Sequence, residues 1–262
     1  MKKNRTIFFS LIPIILTIIM IASILLGPVD ISLKNILHII LDGLGFSYDT
    51  DQQNQLYKAV LINIRIPRIL LSLIVGIGLG TAGAILQGLF RNPLVDPGFI
   101  GVSSGAAIGA LIVIIFSHQF SYLLNDNLVP YILPITAMIG SIITTLLVFK
   151  ISIVSKKTNV MIMLLSGIAI NALVGAIIGL LIIQSNDQQL RSFTFWTLGG
   201  FDNANWQIVL ISGFLIGTSL FFIYPISKKL DIFMLGDSES TYLGLNVENL
   251  KRRIILITAL IV

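Results

Sequence analysis

Residues 160–183 read VMIMLLSGIAINALVGAIIGLLII, and this stretch decides the class of fold. It contains no Asp, Glu, Lys, Arg or His, and Asn171 is its one amide. An α-helix rises about 1.5 Å per residue, so about 20 apolar residues cross a hydrocarbon core about 30 Å thick. The stretch is therefore predicted to be a membrane-spanning helix.

The composition of the whole chain also indicates a membrane protein. Of its 262 residues, 55% are apolar and 11% are charged, and the mean hydropathy is +0.96. Soluble domains carry about 25% charged residues, so this chain has too few charges to cover a water-facing surface. It has no cysteine, which excludes disulfides and thiolate chemistry. The net charge of +5 falls in short groups between apolar runs, which argues against nucleic-acid binding.

Six stretches are long and apolar enough to span a bilayer, and a seventh begins near Ile254 and stops at Val262. We therefore expect an all-α polytopic membrane protein, with six full transmembrane helices and a truncated seventh in a single transmembrane domain over residues 1–262. The first stretch exceeds the usual length of a signal-peptide core, so we interpret it as a retained anchor. The six stretches are residues 7–26, 69–90, 99–117, 130–149, 160–183 and 206–226.

Basic residues predict the orientation in the membrane. If the N-terminus is inside, 12 of the 17 Lys and Arg fall on inner segments, as the positive-inside rule expects. Residues 27–59 then form an outer loop, in which apolar residues between Ile31 and Leu41 recur at nearly helical spacing and predict a short interfacial helix. Residues 227–253 form a cytoplasmic segment.

Small residues recur at every fourth position in three predicted spans, which predicts close helix packing. Asn171 lies within one series, and an amide in mid-membrane needs a partner helix or water, so it is a candidate for a pathway wall. The series are Gly76, Gly80, Ala84 and Gly88; Gly101, Gly105 and Gly109; and Gly167, Asn171, Gly175 and Gly179.

Motifs for catalysis and nucleotide binding are weak in this sequence. Residues 78–83 match a dinucleotide fingerprint and residues 101–105 match a nucleophile elbow, but both lie in predicted spans, where helix packing is the better interpretation. The sequence contains no P-loop, and its two histidines without cysteines do not predict a metal site. We therefore expect no enzymatic activity and no cofactor. The uncharged span cores also lack groups for proton coupling, so the driving force is expected from a partner.

Two polar segments stand out before the third predicted span. Arg65 and Arg68 bracket Pro67 at the outer end of the second span, where they suit either pairing with carboxylates or snorkelling to the interface. Residues 87–106 read QGLFRNPLVDPGFIGVSSGA. Its two prolines exclude helix between them, and Asp96 can cap a turn, so a stiff inner connection is predicted.

The inner segment 227–253 is predicted to contain two short helices. Gly236 ends the first, over residues 228–235, and Asp237 or Ser238 caps the second, which Gly244 closes. Asn246 is expected to cap the next span. Apolar residues lie among the charges of this segment, which suits docking on a cytosolic partner or, alternatively, resting on lipid.

Together these segments resemble the membrane permeases of bacterial ABC importers for iron–siderophore, haem and cobalamin, the FecCD or BtuC-type family. The resemblance covers nearly the whole chain from Arg65 onward. Its most specific pieces are Arg65-x-Pro67-Arg68, residues 87–105, residues 195–201 (FWTLGGF) with Trp206, and residues 235–244.

The resemblance implies the N-terminal part of a ten-helix type II ABC importer permease, whose pattern continues for about three more helices beyond Val262. It implies a multi-pass protein of the bacterial cytoplasmic membrane, with a cytoplasmic N-terminus, that pairs with a second permease subunit. Cytosolic ABC ATPase subunits would hydrolyse ATP, and an extracytoplasmic substrate-binding protein would deliver an iron chelate: a ferric siderophore first, with haem or cobalamin as alternatives. The rival hypotheses are an ion-gradient-driven secondary carrier or channel and a non-transporting truncated fragment.

The resemblance also implies roles for individual residues. Arg65 and Arg68 match arginines that face acidic residues of the binding protein. Residues 231–244 match coupling helices that fit a cleft in the ATPase, and the residues assigned to coupling are Asp231, Leu235, Gly236, Asp237, Ser238, Glu239, Leu243 and Gly244. The residues assigned to the pathway or to helix packing are Gln87, Asn92, Pro93, Gly101, Ser103, Gly105, Gly167 and Asn171.

Overall fold

The computed structural model describes residues 2–43, 52–117 and 128–262, and these are almost entirely helical. They form two compact units, one of Met1–Ile74 with Phe201–Gly213 and the other of Val75–Gly200 with Phe214–Val262. The helices are α1 (Lys2–Leu25), α2 (Leu33–Gly43), α3 (Gln52–Val60), α4 (Ile66–Phe90), α5 (Val102–Ile115), α6 (Val129–Ile151), α7 (Val160–Ile183), α8 (Asp187–Leu198), α9 (Trp206–Phe233), α10 (Asp237–Tyr242) and α11 (Val247–Ile261). A π-helical turn (Leu61–Arg65) joins α3 to α4, a 3-10 turn (Pro97–Ile100) precedes α5, and a hairpin of β1 (Ile153–Val154) and β2 (Lys157–Thr158) joins α6 to α7.

Four helical segments of the described chain are long and apolar enough to cross a membrane: Asn54–Phe90, Tyr131–Ile151, Val160–Ile183 and Trp206–Phe233. Two further predicted spans correspond to shorter apolar segments, Phe9–Leu25 and Val102–Ile115. The all-helical class is therefore confirmed, whereas the count of six full spans plus a truncated seventh is not established.

The third predicted span is shorter than expected because of its first residues. Asp96 is extended, and its carboxylate accepts a hydrogen bond from the Gly98 amide, which starts a 3-10 turn. Gly101 follows with a φ of +84°, a left-handed conformation that favours glycine, so helix α5 begins only at Val102. The connection predicted from the prolines is thus present. Residues 99–101 of the predicted span belong to this connection and not to α5.

The first unit holds a small apolar core around helix α2. Ile31, Ile36, Ile39 and Leu61 are buried against one another. The isoleucines follow the spacing that predicts a helix in this region, and the helix is present at Leu33–Gly43. Its position at the outer interface remains a prediction.

The second unit packs parts of α4, α5, α6, α9 and α11 around one apolar core that includes Leu86, Ile100, Phe233 and Ile254. Gly105 lies so close to α6 that a methyl group in its place would overlap the carbonyl oxygen of Gly140. The small-residue series in α4 and α7 are packed only in part. Gly88 lies against the Leu230 side chain and Gly167 against the Phe99 carbonyl oxygen. The other glycines of these two series face open space among the described residues: Gly76, Gly80, Gly175 and Gly179.

Candidate functional site

The corner between α9 and α10 differs from its prediction in two respects. Residues 228–235 do not form a separate short helix, because α9 runs unbroken through Pro225 to Phe233. The second predicted helix is present as α10, but its N-cap is Gly236, without a side-chain cap, and not Asp237 or Ser238. Gly236 before α10 and Gly244 after it have φ of +134° and +82°, which favour glycine.

Asp237, the first residue of α10, lies at the centre of an ion-pair cluster. Its Oδ1 accepts a hydrogen bond from Arg91 Nη2 at 2.8 Å, and its Oδ2 accepts one from Lys251 Nζ at 2.7 Å. The same Arg91 nitrogen donates to the Phe233 carbonyl oxygen at 2.6 Å. One carboxylate thus ties the residue that follows α4 to the start of α10 and to α11.

Lys251 is the buried member of this cluster, with 1% of its surface exposed. Its ammonium group also donates to the Thr158 carbonyl oxygen at 2.8 Å and lies 3.6 Å from Glu248 Oε1. Glu248 Oε2 accepts hydrogen bonds from the Thr158 amide at 2.9 Å and hydroxyl at 2.6 Å. A buried charge is costly unless it is paired and hydrogen-bonded, and these contacts meet that need.

Phe233 completes the cluster from the end of α9. Its ring is buried, with Arg91 Cζ 4.4 Å and Lys251 Nζ 5.8 Å from the ring centroid. Cations within about 6 Å of an aromatic face are attracted to it. The ring therefore keeps both cations beside Asp237.

Two opposing effects act on the pKa of the Asp237 carboxyl. Partial burial raises it, but the hydrogen bonds and charges of Lys251 and then Arg91 together outweigh burial, so the pKa lies below its ordinary value. Asp237 is consequently ionised at neutral pH, and the cluster is intact there.

Exposed apolar side chains flank this cluster. We call Met234, Leu235, Tyr242 and Leu243 the docking surface, and between 57% and 92% of each residue is exposed. Ser238 and Glu239 add exposed polar groups beside them, and Asp231 and Gly244 are exposed as well. Beside α10 lies an open cavity of about 710 Å³ that reaches Asn246 and Glu248. Exposed apolar groups of this kind suit contact with a partner protein or, as on the apolar sides of the spans, contact with lipid.

A buried side chain within α10 also holds this helix in place. Ser240 is fully buried, and its hydroxyl donates to the carbonyl oxygens of Ile232 at 2.9 Å and Gly236 at 2.5 Å. As predicted, Asn246 caps α11 by accepting a hydrogen bond from the Asn249 amide at 3.0 Å. Hydrogen bonds of the Ser240 and Asn246 side chains therefore hold the backbone within and just after the docking surface.

Asn171 makes contacts with the inner connection. Its Nδ2 donates to the Gly98 carbonyl oxygen at 2.8 Å, and its Oδ1 accepts from the Ser104 hydroxyl at 2.7 Å. One turn earlier, Gly167 leaves room for the Phe99 carbonyl oxygen, which a methyl group would overlap. Asn171 thus finds the partner segment that an amide in the membrane needs.

The remaining candidates of the inner connection are mostly exposed. Asn92 accepts a hydrogen bond from the Leu94 amide at 3.0 Å and so shapes the turn after α4. Gln87 and Pro93 are exposed near it. Ser103 is exposed and lines a cavity of about 730 Å³ that also includes Trp196.

The two arginines at the start of α4, Arg65 just before the helix and Arg68 in its first turn, have different surroundings. Arg65 is 7% exposed, and its guanidinium donates to the carbonyl oxygens of Ile24, Leu25 and Val29, at and just after the end of α1. The last carbonyls of a helix lack partners within it, so Arg65 satisfies groups that would otherwise be unpaired. These contacts indicate a structural role for Arg65, and its role in docking the binding protein stays a prediction.

Arg68 is more exposed than Arg65. Its Nη2 lies 3.1 Å from Asp202 Oδ1, and its Nε donates to the Phe201 carbonyl oxygen at 3.2 Å. Exposed ion pairs of this kind contribute little to stability. Arg68 is therefore the better candidate of the two for an intermolecular contact.

Comparison with known proteins identifies the family. The model of the FecCD transport family matches residues 15–262. The chain belongs to this family. The resemblance seen in the sequence is thus confirmed.

Individual relatives of this FecCD chain have several named cargoes. It is 42% identical over 205 residues to the hemin transport system permease protein HmuU of Yersinia pestis, covering 78% of this chain and 59% of the relative. It is 33% identical over 205 residues to the iron(3+)-hydroxamate import system permease protein FhuG of Bacillus subtilis, covering 77% and 59%. It is 30% identical over 206 residues to the cobalamin import system permease protein BtuC of Halobacterium salinarum, covering 78% and 53%. The chain thus spans less than two thirds of the length of these relatives.

A solved structure supports the fold of this FecCD chain. A metal-chelate type ABC transporter in an inward-facing conformation superposes with a TM-score of 0.78 at 29% identity. The match covers 98% of this chain and 73% of that chain.

Sequence reasoning selected the docking segment but missed most residues that hold it. Arg91 and Lys251 are among the 12 basic residues that predict orientation, but the sequence did not mark them as site residues, nor Phe233, Thr158 and Glu248. One local signal was available, since Glu248 and Lys251 are three residues apart on a helix and such pairs face each other. Arg91 and Asp237 are 146 residues apart, and no local pattern connects them.

Proposed function

We propose that this FecCD-family chain is a membrane permease subunit of an ATP-driven ABC importer and moves an iron chelate across the bacterial cytoplasmic membrane by alternating access. The observation that carries the proposal is the docking surface, four exposed apolar side chains mounted on a corner that Asp237 holds in place. Family membership supports the same function. In this proposal the ATPase subunits, a second permease subunit and an extracytoplasmic binding protein are separate partners, and the chain itself hydrolyses nothing.

The cluster suggests how force from an ATPase would enter the permease. A partner bound to Leu235 and Tyr242 would push on α10, and α10 begins at Asp237. Because Asp237 is bound to both Arg91 and Lys251, α10 cannot move without pulling on the end of α4 and on α11. Packed elements of this kind shift as units rather than deform continuously.

The outer end of the permease would receive the binding protein. Arg68 is the residue that we propose for this contact, because it is exposed and already pairs with a carboxylate, Asp202. Charges at the rim of an interface mainly steer association and weaken with salt. Arg68→Glu should therefore slow association of the loaded binding protein most strongly at low salt.

The cargo that we propose is an iron chelate. The sequence favours a ferric siderophore by breadth of the family, whereas the 42% identity to a hemin permease favours hemin. Both cargoes belong in the first uptake experiment, each with its own binding protein.

The test measures uptake of iron-labelled hemin and of a labelled ferric siderophore in cells that express the chain with its ATPase and binding protein. Changing the P-loop lysine of the ATPase should abolish uptake, while dissipating the membrane potential at constant ATP should leave it intact. The reverse pattern would favour an ion-gradient-driven carrier. Absence of accumulation with every partner present would favour a non-transporting fragment.

A second test examines the docking surface directly. Leu235→Asp places a charge in the apolar contact, and co-purification of the ATPase in detergent should fall at least about tenfold, as for a central interface residue. Leu198→Asp is the matched control, since Leu198 is also an exposed leucine (75%, against 65% for Leu235) but lies in α8. Equal retention of the ATPase by both variants would contradict the proposed docking surface.

A further inference from the structure

The end of α6 carries a basic cavity that the proposed transport function does not use. It has a volume of about 640 Å³ and is lined by Lys150, Lys156 and Arg252 together with Leu146, Ile153 and Glu248. Lys150 lies in the last turn of α6, Lys156 in the hairpin and Arg252 in α11. Three segments of the second unit therefore each bring a cation to one cavity.

These cations are not neutralised by the protein. Among the residues that the structure describes, Lys150, Lys156 and Arg252 have no hydrogen-bond or ion-pair partner. The carboxylate in the cavity, Glu248, is already bound by Thr158 and lies 3.6 Å from the buried Lys251. The cavity thus keeps an excess of positive charge.

The backbone that carries one of these cations forms a tight turn. The hairpin turn has two central residues, Ser155 and Lys156, with φ of +51° and +64°. A two-residue hairpin turn needs positive φ at these positions, although residues other than glycine, asparagine and aspartate adopt it at a cost. The paired strands on either side therefore fix the backbone from which Lys156 extends.

An apolar stripe leads along α6 to the cavity. Ile139, Ile143 and Leu146 lie about one helical turn apart on α6, and each is exposed. α6 is one of the helices that are long and apolar enough to span a membrane, and an exposed apolar side on such a helix suits contact with acyl chains. The cavity lies at the C-terminal end of this helix, where the stripe ends.

We propose that this cavity binds the headgroup of an anionic phospholipid, whose acyl chains lie along the apolar stripe of α6. The phosphate group would be held by Lys150, Lys156 and Arg252. Charge complementarity favours an anionic lipid over a zwitterionic one, because basic pockets between membrane helices attract anionic headgroups.

The experiment measures lipid binding to the detergent-purified chain by native mass spectrometry, with phosphatidylglycerol and phosphatidylcholine as probes. Each cation near a charged lipid surface changes affinity about fivefold. The triple variant Lys150→Gln, Lys156→Gln, Arg252→Gln should therefore lose on the order of 100-fold in phosphatidylglycerol affinity, with phosphatidylcholine binding unchanged.

The matched control is Lys228→Gln, Lys229→Gln, Arg253→Gln, which removes the same charge from exposed residues outside the cavity. It should bind phosphatidylglycerol like the unaltered chain. Equal loss in both triple variants, or no preference for phosphatidylglycerol in the unaltered chain, would overturn the proposal. Displacement of the lipid by an equal concentration of glycerol phosphate would also overturn it, because the site would then take a free phosphate.

Further variants separate binding from folding. The charge-conserving variant Lys150→Arg, Lys156→Arg, Arg252→Lys should keep the preference for phosphatidylglycerol. If the glutamine triple variant aggregates on size exclusion, the three single variants replace it, and each should lose about fivefold. Single variants that bind like the unaltered chain would contradict the proposal.

Discussion

Two cations are buried among the residues that the structure describes, Lys251 and Arg65, and they are compensated in different ways. Lys251 is 1% exposed and is surrounded by two carboxylates, Asp237 and Glu248, and one carbonyl oxygen. Arg65 is 7% exposed and, among the described residues, binds only backbone carbonyl oxygens. One cation is held by titratable side chains and the other by the end of a helix.

The difference indicates different roles for the two sites. The carboxylates around Lys251 belong to α10 and α11, so the cluster depends on how these elements are arranged. The carbonyl groups around Arg65 come from one short stretch, residues 24–29, at the end of α1. The first arrangement suits an element that transmits movement, and the second suits a fixed attachment.

The largest effect is expected from reversing the buried charge at Lys251. Lys251→Glu would place a third carboxylate between Asp237 and Glu248, and removing one partner of a buried ion pair already costs about 3–5 kcal/mol. The detergent-solubilised variant should therefore unfold at a clearly lower temperature. Arg253→Glu is the control, because Arg253 is exposed two residues away and should change the stability by about 0.5 kcal/mol or less. Similar losses in both variants would show that Lys251 has no special role.

A smaller effect is expected at Arg65. Arg65→Lys keeps the charge but cannot reach three carbonyl groups with the planar fork of a guanidinium, so the free energy of unfolding should fall by about 2 kcal/mol. Arg68→Lys is the matched control and should be nearly neutral, because its ion pair is exposed. If Arg65→Lys weakens binding of the loaded binding protein without destabilising the chain, the structural role is wrong and the docking role from the sequence resemblance is right.

The sequence predicted features that depend on neighbouring residues. Apolar length predicted the helices, Asp96 and Asn246 were expected at caps where they are found, and Gly236 was expected at the turn before α10. Each of these results follows from the local chemistry of a few adjacent residues.

Features that depend on distant residues were not predictable in the same way. Arg65 resembled a surface arginine because nothing nearby in sequence shows that the end of α1, 36 to 41 residues away, needs a donor. The continuation of α9 past residue 226 also escaped prediction, since the apolar span ends there and the charged residues Lys228 and Lys229 follow. Apolar length shows where a span ends but not where its helix ends, which tertiary packing helps to decide. Ile223 and Ile226, on either side of Pro225, are buried in the core of the second unit.

The smallest effect, and the sharpest test of the comparison, concerns pH. Lys251 and Arg91 hold the pKa of Asp237 below its ordinary value, so the carboxylate contributes its full stabilisation above about pH 4 and loses it as the pH falls through the lowered pKa. Asp237→Asn should therefore lower the free energy of unfolding by about 1 kcal/mol at pH 7, since the group is half exposed. This gap should stay constant down to about pH 5 and close below about pH 4.

The gap caused by Arg65→Lys should not change over that range, because carbonyl groups do not titrate. Thermal unfolding at pH 3 to 7 measures both gaps, and a gap for Asp237→Asn that persists at the lowest pH would show that the carboxylate charge does not hold the cluster together.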